Sequence, residues 1–154
     1  MAGHEQIKYG AIKNEDSAVK IPFPLAASEV IKAKSGRFVT LNAGNLEVAD
    51  DGDTLLIGWA EFPEGTTASG DIATFLPAWG ALGVVFRIPV NAGTFVAAMR
   101  GKTCDLARSS SIQGAKLDAS GEDNLIIVDG DLESNLWVDV MFNPSKLTGF
   151  TGVV

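Results

Sequence analysis

Cysteine and histidine are almost absent from this chain of 154 residues, which holds one of each, Cys104 and His4. A single cysteine cannot form an intrachain disulfide, and these two residues alone cannot assemble a zinc site of cysteine and histidine ligands. His4 lies near the N-terminus, where chains fray, so it is a poor candidate for a general base. The sequence thus lacks the residues that most often carry nucleophilic or metal-assisted catalysis.

Positive charge is also scarce. The chain has 12 lysine and arginine residues against 19 aspartate and glutamate residues, a net charge of −7 at pH 7. Binding to nucleic acids or to anionic lipids needs a basic face, so we expect neither nucleic acid nor a membrane among the partners. No window reaches the roughly 18 apolar residues of a membrane helix, and residues 1–13 hold no apolar stretch of the signal-peptide type.

What the chain does contain is apolar residues and turn formers. Hydrophobic residues make up 46% of the sequence, beside 17 glycine and 6 proline residues and only 20% charged residues. This composition predicts a single acidic, turn-rich domain with its own core. The charge is uneven, because residues 1–35 hold five lysines against four acidic side chains, whereas residues 36–80 hold Arg37 against seven acidic side chains.

The clearest strand pattern lies in residues 30–62. Short β-prone runs alternate there with turn-forming segments rich in asparagine, aspartate and glycine, at residues 37–41, 42–45, 46–49, 50–53 and 54–62. Three strands with turns at about ten-residue spacing predict a meander in an all-β fold.

Further strands are predicted at residues 71–77, 84–90, 103–107, 112–117, 125–128 and 136–142. Pro89 would place the end of its strand at an edge or a bulge. Residues 94–100 are ambiguous between a strand and a helical turn. Trp59 and Trp137 lie within strands and are expected in the core. Taken together, the pattern predicts an all-β fold, a small β-barrel or sandwich-like meander.

The first 29 residues read as an extended N-terminal arm. Their apolar residues fit neither a helical stripe nor a long alternation. The segment Ile21-Pro22-Phe23-Pro24 must be extended, because a residue before proline is pushed out of the helical region. Such an arm lies either on its own domain or on a neighbouring chain. The predicted organisation is an arm at residues 1–29 and a β domain at residues 30–154 that ends in a short tail.

Short motifs that could carry chemistry are incomplete. Gly101-Lys102-Thr103 resembles the end of a phosphate-binding loop, but the glycine that such a loop needs five positions earlier is missing. The acidic clusters at residues 50–53 and 118–123 do not match the calcium spacing of an EF-hand. Serines 109–111 have no internal histidine to activate them, and Cys104 lies in an alternating apolar run typical of a core. We expect no catalysis, no cofactor and no metal.

One enzyme family was considered on the basis of chain size. Arg108-Ser109-Ser110 and Gly149-Phe150-Thr151-Gly152 resemble phosphate-binding segments of the trimeric β-fold dUTPases. That family joins a catalytic aspartate to a stacking tyrosine, and Asp118-Ala119-Ser120-Gly121 lacks the tyrosine. The one tyrosine of this chain is Tyr9, in the arm. The missing tyrosine argues against this enzyme family.

A different resemblance covers residues 30–62. The pattern of small residue, glycine and apolar strand, then an acidic turn, then an isoleucine–glycine pair is similar to that of tailed-phage capsid decoration (head cement) proteins. The matching segments are Ser35-Gly36-Arg37-Phe38-Val39-Thr40-Leu41, Gly44-Asn45-Leu46-Glu47-Val48-Ala49-Asp50-Asp51-Gly52 and Ile57-Gly58-Trp59-Ala60.

This resemblance implies a structural virion protein that binds the outer surface of an expanded capsid and stabilises the shell without catalysis. Its implied partner is the major capsid protein, its implied state is a homotrimer, and its implied location is the capsid exterior after synthesis in the host cytoplasm. Partner contacts are expected at apolar residues of the arm and at an aromatic residue in a glycine-rich loop: Ile7, Tyr9, Ile12, Ile21, Phe23 and Trp79.

Two alternatives remain open at this stage. One is a β-barrel that binds a small molecule or a glycan, with Trp79, Phe75 and Phe86 lining one concave mouth. The other is a different virion module, such as part of a tail or a fibre base. The sequence leaves open the stoichiometry, the capsid geometry and the face that meets the shell.

Overall fold

The computed structural model describes residues 3–4, 7–53, 55–118 and 121–147. Strands make up 47% of the structure, and no helix within these ranges has seven or more residues. The predicted all-β class is therefore confirmed. The helices with defined bounds are single 3₁₀ turns, at Glu15–Ser17, Ala78–Gly80, Ala97–Met99 and Pro144–Lys146.

The described residues form thirteen strands, numbered here in chain order. Their bounds are β1 Gly10–Lys13, β2 Ile21–Pro24, β3 Val30–Ile31, β4 Phe38–Asn42, β5 Asn45–Val48, β6 Gly58–Glu61, β7 Gly65–Thr66, β8 Ile72–Pro77, β9 Val85–Ala92, β10 Thr103–Ser109, β11 Ile112–Lys116, β12 Leu125–Gly130 and β13 Trp137–Phe142. Most runs that the sequence predicted as strands are strands in the structure.

Five strands of the C-terminal half close into a barrel. The order is β9-β11-β10-β12-β13, and β13 pairs back onto β9, so the ring has no open edge. The pairs are antiparallel except for β11 and β9, which run parallel. Strand β1 adds to the N-terminal half of β9, with Gly10 opposite Arg87. We refer to this unit as the first barrel.

The N-terminal half forms a second sheet in the order β2-β8-β6-β4-β5. The sheet curls round, because Leu25 forms a parallel bridge to Leu46 and the N–H of Ala26 donates to the carbonyl of Leu46 at 2.9 Å. Its two outermost strands are thereby joined. We refer to this unit as the second barrel; β3 and β7 form a small ribbon of their own.

The fold has two cores, and aromatic rings dominate the larger one, which takes residues from both barrels. Phe38, Trp59, Phe86 and Phe142 are at most 2% exposed, and their ring centroids lie 4.5–5.5 Å apart. Such offset and edge-to-face pairs add to the free energy gained from burial alone. The core of the second barrel is smaller and centres on Phe75. Two packed cores make the protein a rigid support for whatever its surface carries.

The arm is part of both sheets. Strand β1 pairs with β9, and β2 pairs with β8, where Ile21 lies opposite Phe75. The described residues of the arm therefore lie on their own domain, which is one of the two positions that the sequence allowed. The extended conformation predicted for residues 21–24 is confirmed.

Two strand predictions need correction. The run predicted at residues 54–62 forms a strand only from Gly58, because Leu56 leaves the sheet and bridges Leu147 instead. Pro89 does not end its strand, which continues to Ala92. The N–H of Val90 donates to the carbonyl of Leu136, the residue before β13, so the backbone of position 89 faces the opposite edge. Proline is tolerated there because it falls between the end of β1 and the start of the β11 pairing.

The expectation that Trp137 lies in the core is wrong, whereas that for Trp59 is confirmed. Trp59 is 2% exposed. Trp137 is half-buried on the outside of the first barrel, where the guanidinium carbon of Arg87 lies 3.7 Å from its ring centroid. Arg87 in turn donates to Asp139 at 2.7 Å and 3.0 Å. A cation–π contact of this kind can hold an aromatic ring at the surface.

Two of the segments between strands form tight turns. In the turn from β4 to β5, Ala43 and Gly44 both have positive φ, 50° and 84°, as a two-residue hairpin turn of type I′ requires. The ambiguous segment 94–100 forms a 3₁₀ turn at Ala97–Met99 after the extended residue Val96.

Candidate interaction surface

A buried glutamine has structural partners for its side-chain amide. Gln113 on β11 is fully buried; its side-chain oxygen accepts from the N–H of Phe38 at 2.9 Å, and its side-chain nitrogen donates to the carbonyls of Phe38 and Ala49, each at 2.9 Å. The side-chain amide of Gln113 therefore hydrogen-bonds a strand of the first barrel to the backbone of the second barrel.

Carboxylates of the acidic clusters accept hydrogen bonds from backbone N–H groups. The Asp105 carboxylate accepts from the N–H groups of Gly121, Glu122 and Asp123 at 2.7–3.0 Å. Burial alone would raise the pKa of Asp105, but these backbone donors outweigh it and hold the pKa below its usual range. Within the described ranges, no three cysteine, histidine or carboxylate side chains converge as a metal site would need.

The remaining motifs are turns or core. In the 50–53 cluster, Asp51 accepts from the N–H of Arg108 at 2.6 Å. The N–H of Gly101 donates to the carbonyl of Ile127 at 2.8 Å, so this backbone is bonded to β12. Cys104 is 1% exposed, and burial raises the pKa of its thiol to about 12, which keeps it protonated at neutral pH.

Of the six predicted contact residues, four are half-buried and two are exposed. Ile7 and Tyr9 line a cleft described further below. Ile12 is half-buried in β1, and the ring of Phe23 packs edge-on against Phe75 with centroids 5.2 Å apart. These two side chains serve mainly to fix the arm to the barrels. Ile21 and Trp79 remain, and the structure brings them to the same part of the surface.

Four large apolar side chains are exposed in this region: Val19 at 44%, Ile21 at 39%, Trp79 at 57% and Leu82 at 40%. Ile21 lies opposite Phe75 of β8, and the turn that follows β8 carries Trp79. A Cβ atom placed on Gly80 would lie 3.1 Å from that of Val19, so the arm runs directly beside this turn. We call these four residues the apolar rim.

The backbone holds the apolar rim in place. The N–H of Ala78 donates to the carbonyl of Ile57 at 2.9 Å, which ties the turn to the second barrel. On the arm side, the Asn14 amide donates to the carbonyl of Gly83 at 3.0 Å. Because both the arm and the turn are fixed, the exposed side chains occupy defined positions.

The adjacent edge of β2 is closed to strand addition. The N–H of Leu25 donates to Asp71 on the β8 side, whereas that of Ala26 points the other way, to Leu46. By this alternation, residues 22 and 24 face the outer edge, and both are prolines without an N–H group. Natural edge strands use proline in this way to prevent pairing with other chains. Docking at the apolar rim must therefore use side chains.

Sequence reasoning missed two members of the apolar rim, Val19 and Leu82. The sequence holds a hint of exposure for each of them. Val19 precedes a lysine in an extended segment, and Leu82 lies in the glycine-rich loop that carries Trp79. The mouth proposed for a small-molecule or glycan site does not form. Phe75 and Phe86 belong to different cores and are at most 1% exposed.

Comparisons with known proteins found no relative of this chain. No protein-family profile, no curated protein and no solved structure matches this chain. No helix in the described ranges has the length and apolar character needed to cross a membrane. We therefore infer function from the exposed residues themselves.

Proposed function

We propose that this protein is a structural virion protein that attaches to the outer surface of a tailed-phage capsid and stabilises the shell. The observation that carries the proposal is the apolar rim, a set of exposed large side chains on a rigid double barrel. Exposed apolar clusters of this kind are typical of protein–protein contacts. The partner is the major capsid protein, and no catalytic step is involved.

The physics of attachment fits such a rim. Burying one large apolar side chain is worth about 1.5–3 kcal/mol, so a single rim gives a contact of modest strength. A rigid surface loses little conformational entropy when it docks. A homotrimer presents three rims together, and effective concentration then converts modest contacts into stable attachment. We therefore propose a trimer on the capsid exterior, formed from chains made in the host cytoplasm.

The closed edge of β2 supports the same function. A protein that covers a shell in many copies must bind the shell without polymerising with itself. Pro22 and Pro24 remove the outward N–H donors next to Ile21, so this edge does not template a new strand. Attachment through side chains keeps the contact specific to a complementary surface.

Binding to shells tests the proposal. Purified protein is mixed with expanded empty capsids assembled from a tailed-phage major capsid protein, and with unexpanded shells as the control. We expect co-sedimentation with expanded shells and a higher temperature of shell disruption. Absence of binding to both shells, together with binding to tail or fibre-base assemblies, would instead favour the other virion module.

A further inference from the structure

A second surface feature lies away from the apolar rim's residues, at a cleft between the start of the arm and the turn after β3. The cleft has a volume of about 540 Å³. Its lining includes the largely apolar side chains of Ile7, Tyr9 and Ile112 and the two cations Lys32 and Lys34, beside His4 and Ala33. We call it the basic cleft.

Charge distinguishes this cleft from the rest of the protein. The chain has a net charge of −7, yet the described residues that line the cleft include no carboxylate. Tyr9 also lines a neighbouring cavity of about 290 Å³, where Lys8 and Arg37 are balanced by Glu15 and Glu61. The positive charge therefore comes from Lys32 and Lys34 of the basic cleft itself, and it favours a negatively charged ligand there.

The turn that carries the two lysines is fixed by Arg37. The Arg37 guanidinium donates to the carbonyl of Ser35 at 2.7 Å and to that of Phe62 at 3.0 Å. The N–H of Ser35 also donates to the carbonyl of Lys32 at 3.1 Å, which closes the turn. The backbone that carries Lys32 and Lys34 is thus set before any ligand binds, which lowers the entropic cost of binding.

Tyr9 forms a neutral wall of the cleft. Its hydroxyl is hydrogen-bonded to the ring of His4. Burial raises the pKa of Tyr9 to about 12, so the phenol stays uncharged at physiological pH and adds no negative charge opposite the lysines.

We infer that the basic cleft binds an acidic peptide segment of a partner protein, with carboxylates paired to Lys32 and Lys34 and an apolar side chain placed against Ile7, Tyr9 and Ile112. Complementary charge selects this occupant, because the lining combines two lysines with apolar side chains. A second copy of this chain placed cleft to cleft is disfavoured, since the two clefts have the same sign. A nucleic acid is disfavoured because the rest of the surface repels a long polyanion.

The test uses three fluorescein-labelled nonapeptides on the full-length chain, followed by fluorescence anisotropy. The first alternates glutamate with leucine, and the others replace glutamate with glutamine or with lysine. We expect binding of the glutamate peptide alone, weakened several-fold on raising salt from about 0.05 M to about 0.3 M as screening predicts. No binding of the glutamate peptide up to about 1 mM, or equal binding of the glutamine peptide, would overturn the inference.

Charge reversal locates the site. The double variant K32E/K34E should bind the glutamate peptide at least about fivefold more weakly, since two attractions become repulsions. The matched control K102E/K116E changes the net charge equally, just before β10 and at the end of β11, and should bind like the parent protein. An equal loss in both variants would show a general charge effect and contradict the inference.

Two further measurements keep the result unambiguous. Backbone amide shifts of the unmodified chain, recorded during titration with the glutamate peptide, should change at Tyr9, Lys34 and Ile112 before residues elsewhere. A single-stranded oligonucleotide that displaced the peptide from the same residues with higher affinity would reassign the cleft to nucleic acid and overturn the proposal.

Discussion

Gln113 and Phe38 are joined by a reciprocal pair of hydrogen bonds across the boundary between the two barrels. The side-chain oxygen of Gln113 accepts from the N–H of Phe38, and its side-chain nitrogen donates to the carbonyl of Phe38, both at 2.9 Å. The side-chain amide thus pairs with β4 as a neighbouring strand would. This link orients the second barrel, which carries the apolar rim, relative to the first.

Gln113→Leu should therefore be strongly destabilising. The substitution leaves the N–H of Phe38 and the carbonyl of Ala49 without the side-chain amide that they bind in a buried position, whereas the carbonyl of Phe38 keeps the N–H of Ala49. Each unsatisfied group costs about 1–3 kcal/mol, so we expect a loss of about 2–6 kcal/mol in the free energy of unfolding. Urea denaturation measures it, with Asn42→Ala at an exposed position as the control. A loss below about 1 kcal/mol would show that water replaces the link.

Asp105→Asn should lower stability in a pH-dependent way. The carboxylate accepts three backbone N–H groups, and its pKa in the folded protein lies below the ordinary value of 3.8. A depressed folded pKa gives stability that is present above the unfolded pKa and is lost as pH falls through the folded pKa. Urea unfolding at pH 7 should show a loss of about 1–3 kcal/mol for the variant.

The same comparison at lower pH checks the cause. As pH falls below the ordinary carboxyl pKa of 3.8, the unfolded parent chain takes up a proton that the folded carboxylate still lacks, so the advantage of the parent shrinks and is lost as pH falls through the folded pKa. A difference that stays constant between pH 7 and pH 3 would mean that the hydrogen bonds to the charged carboxylate are not responsible.

Gly58 is required where β6 pairs with β8. A Cβ atom at this position would lie 2.3 Å from the carbonyl oxygen of Leu76 and 2.4 Å from the ring of Phe75. Gly58→Ala should therefore cost about 3 kcal/mol, because neither neighbour can move without disturbing a core. Gly83→Ala is the matched control, since nothing lies within 4 Å of its Cβ position, and it should change stability by less than about 0.5 kcal/mol. Thermal unfolding of both variants gives the comparison, and equal transition temperatures would refute the close approach.

Much of the fold could be predicted from local patterns, and the rest depends on long-range pairing. The turn at Ala43 and Gly44 and the strands on either side follow from residue type. Closure of the first barrel could not be predicted, because the parallel pairing of β11 with β9 joins residues far apart in the sequence. The surface position of Trp137 could not be predicted either, since it depends on Arg87 of another strand.

The candidate surface was partly visible in the sequence. Trp79 stands out as an aromatic residue in a glycine-rich loop, and Ile21 as an apolar residue directly before a proline. Their proximity could not be predicted, because it requires β2 to pair with β8. The same pairing explains why Phe23 packs inward while Ile21 stays exposed at the end of the strand.

The prolines of β2 should act as a barrier to self-association. The double variant P22T/P24T restores two outward N–H donors at an exposed edge. We expect concentration-dependent formation of larger species, measured by sedimentation velocity over a dilution series. P63T/P144T removes two exposed prolines elsewhere and should sediment as the parent does. Identical sedimentation of both variants would show that this edge is protected by other means.

The most direct test of the central claim is capsid binding by variants of the apolar rim. V19S/W79S removes two rim side chains, and V96S/L132S removes two apolar side chains of matched exposure elsewhere, 48% and 58% against 44% and 57%. Attachment to expanded shells is measured by co-sedimentation after confirming that both variants unfold cooperatively. We predict at least about tenfold weaker attachment for V19S/W79S, from about 1.5–3 kcal/mol lost per side chain, and parent-like attachment for V96S/L132S. Equal attachment by the two variants would contradict the assignment of the apolar rim as the capsid-binding surface.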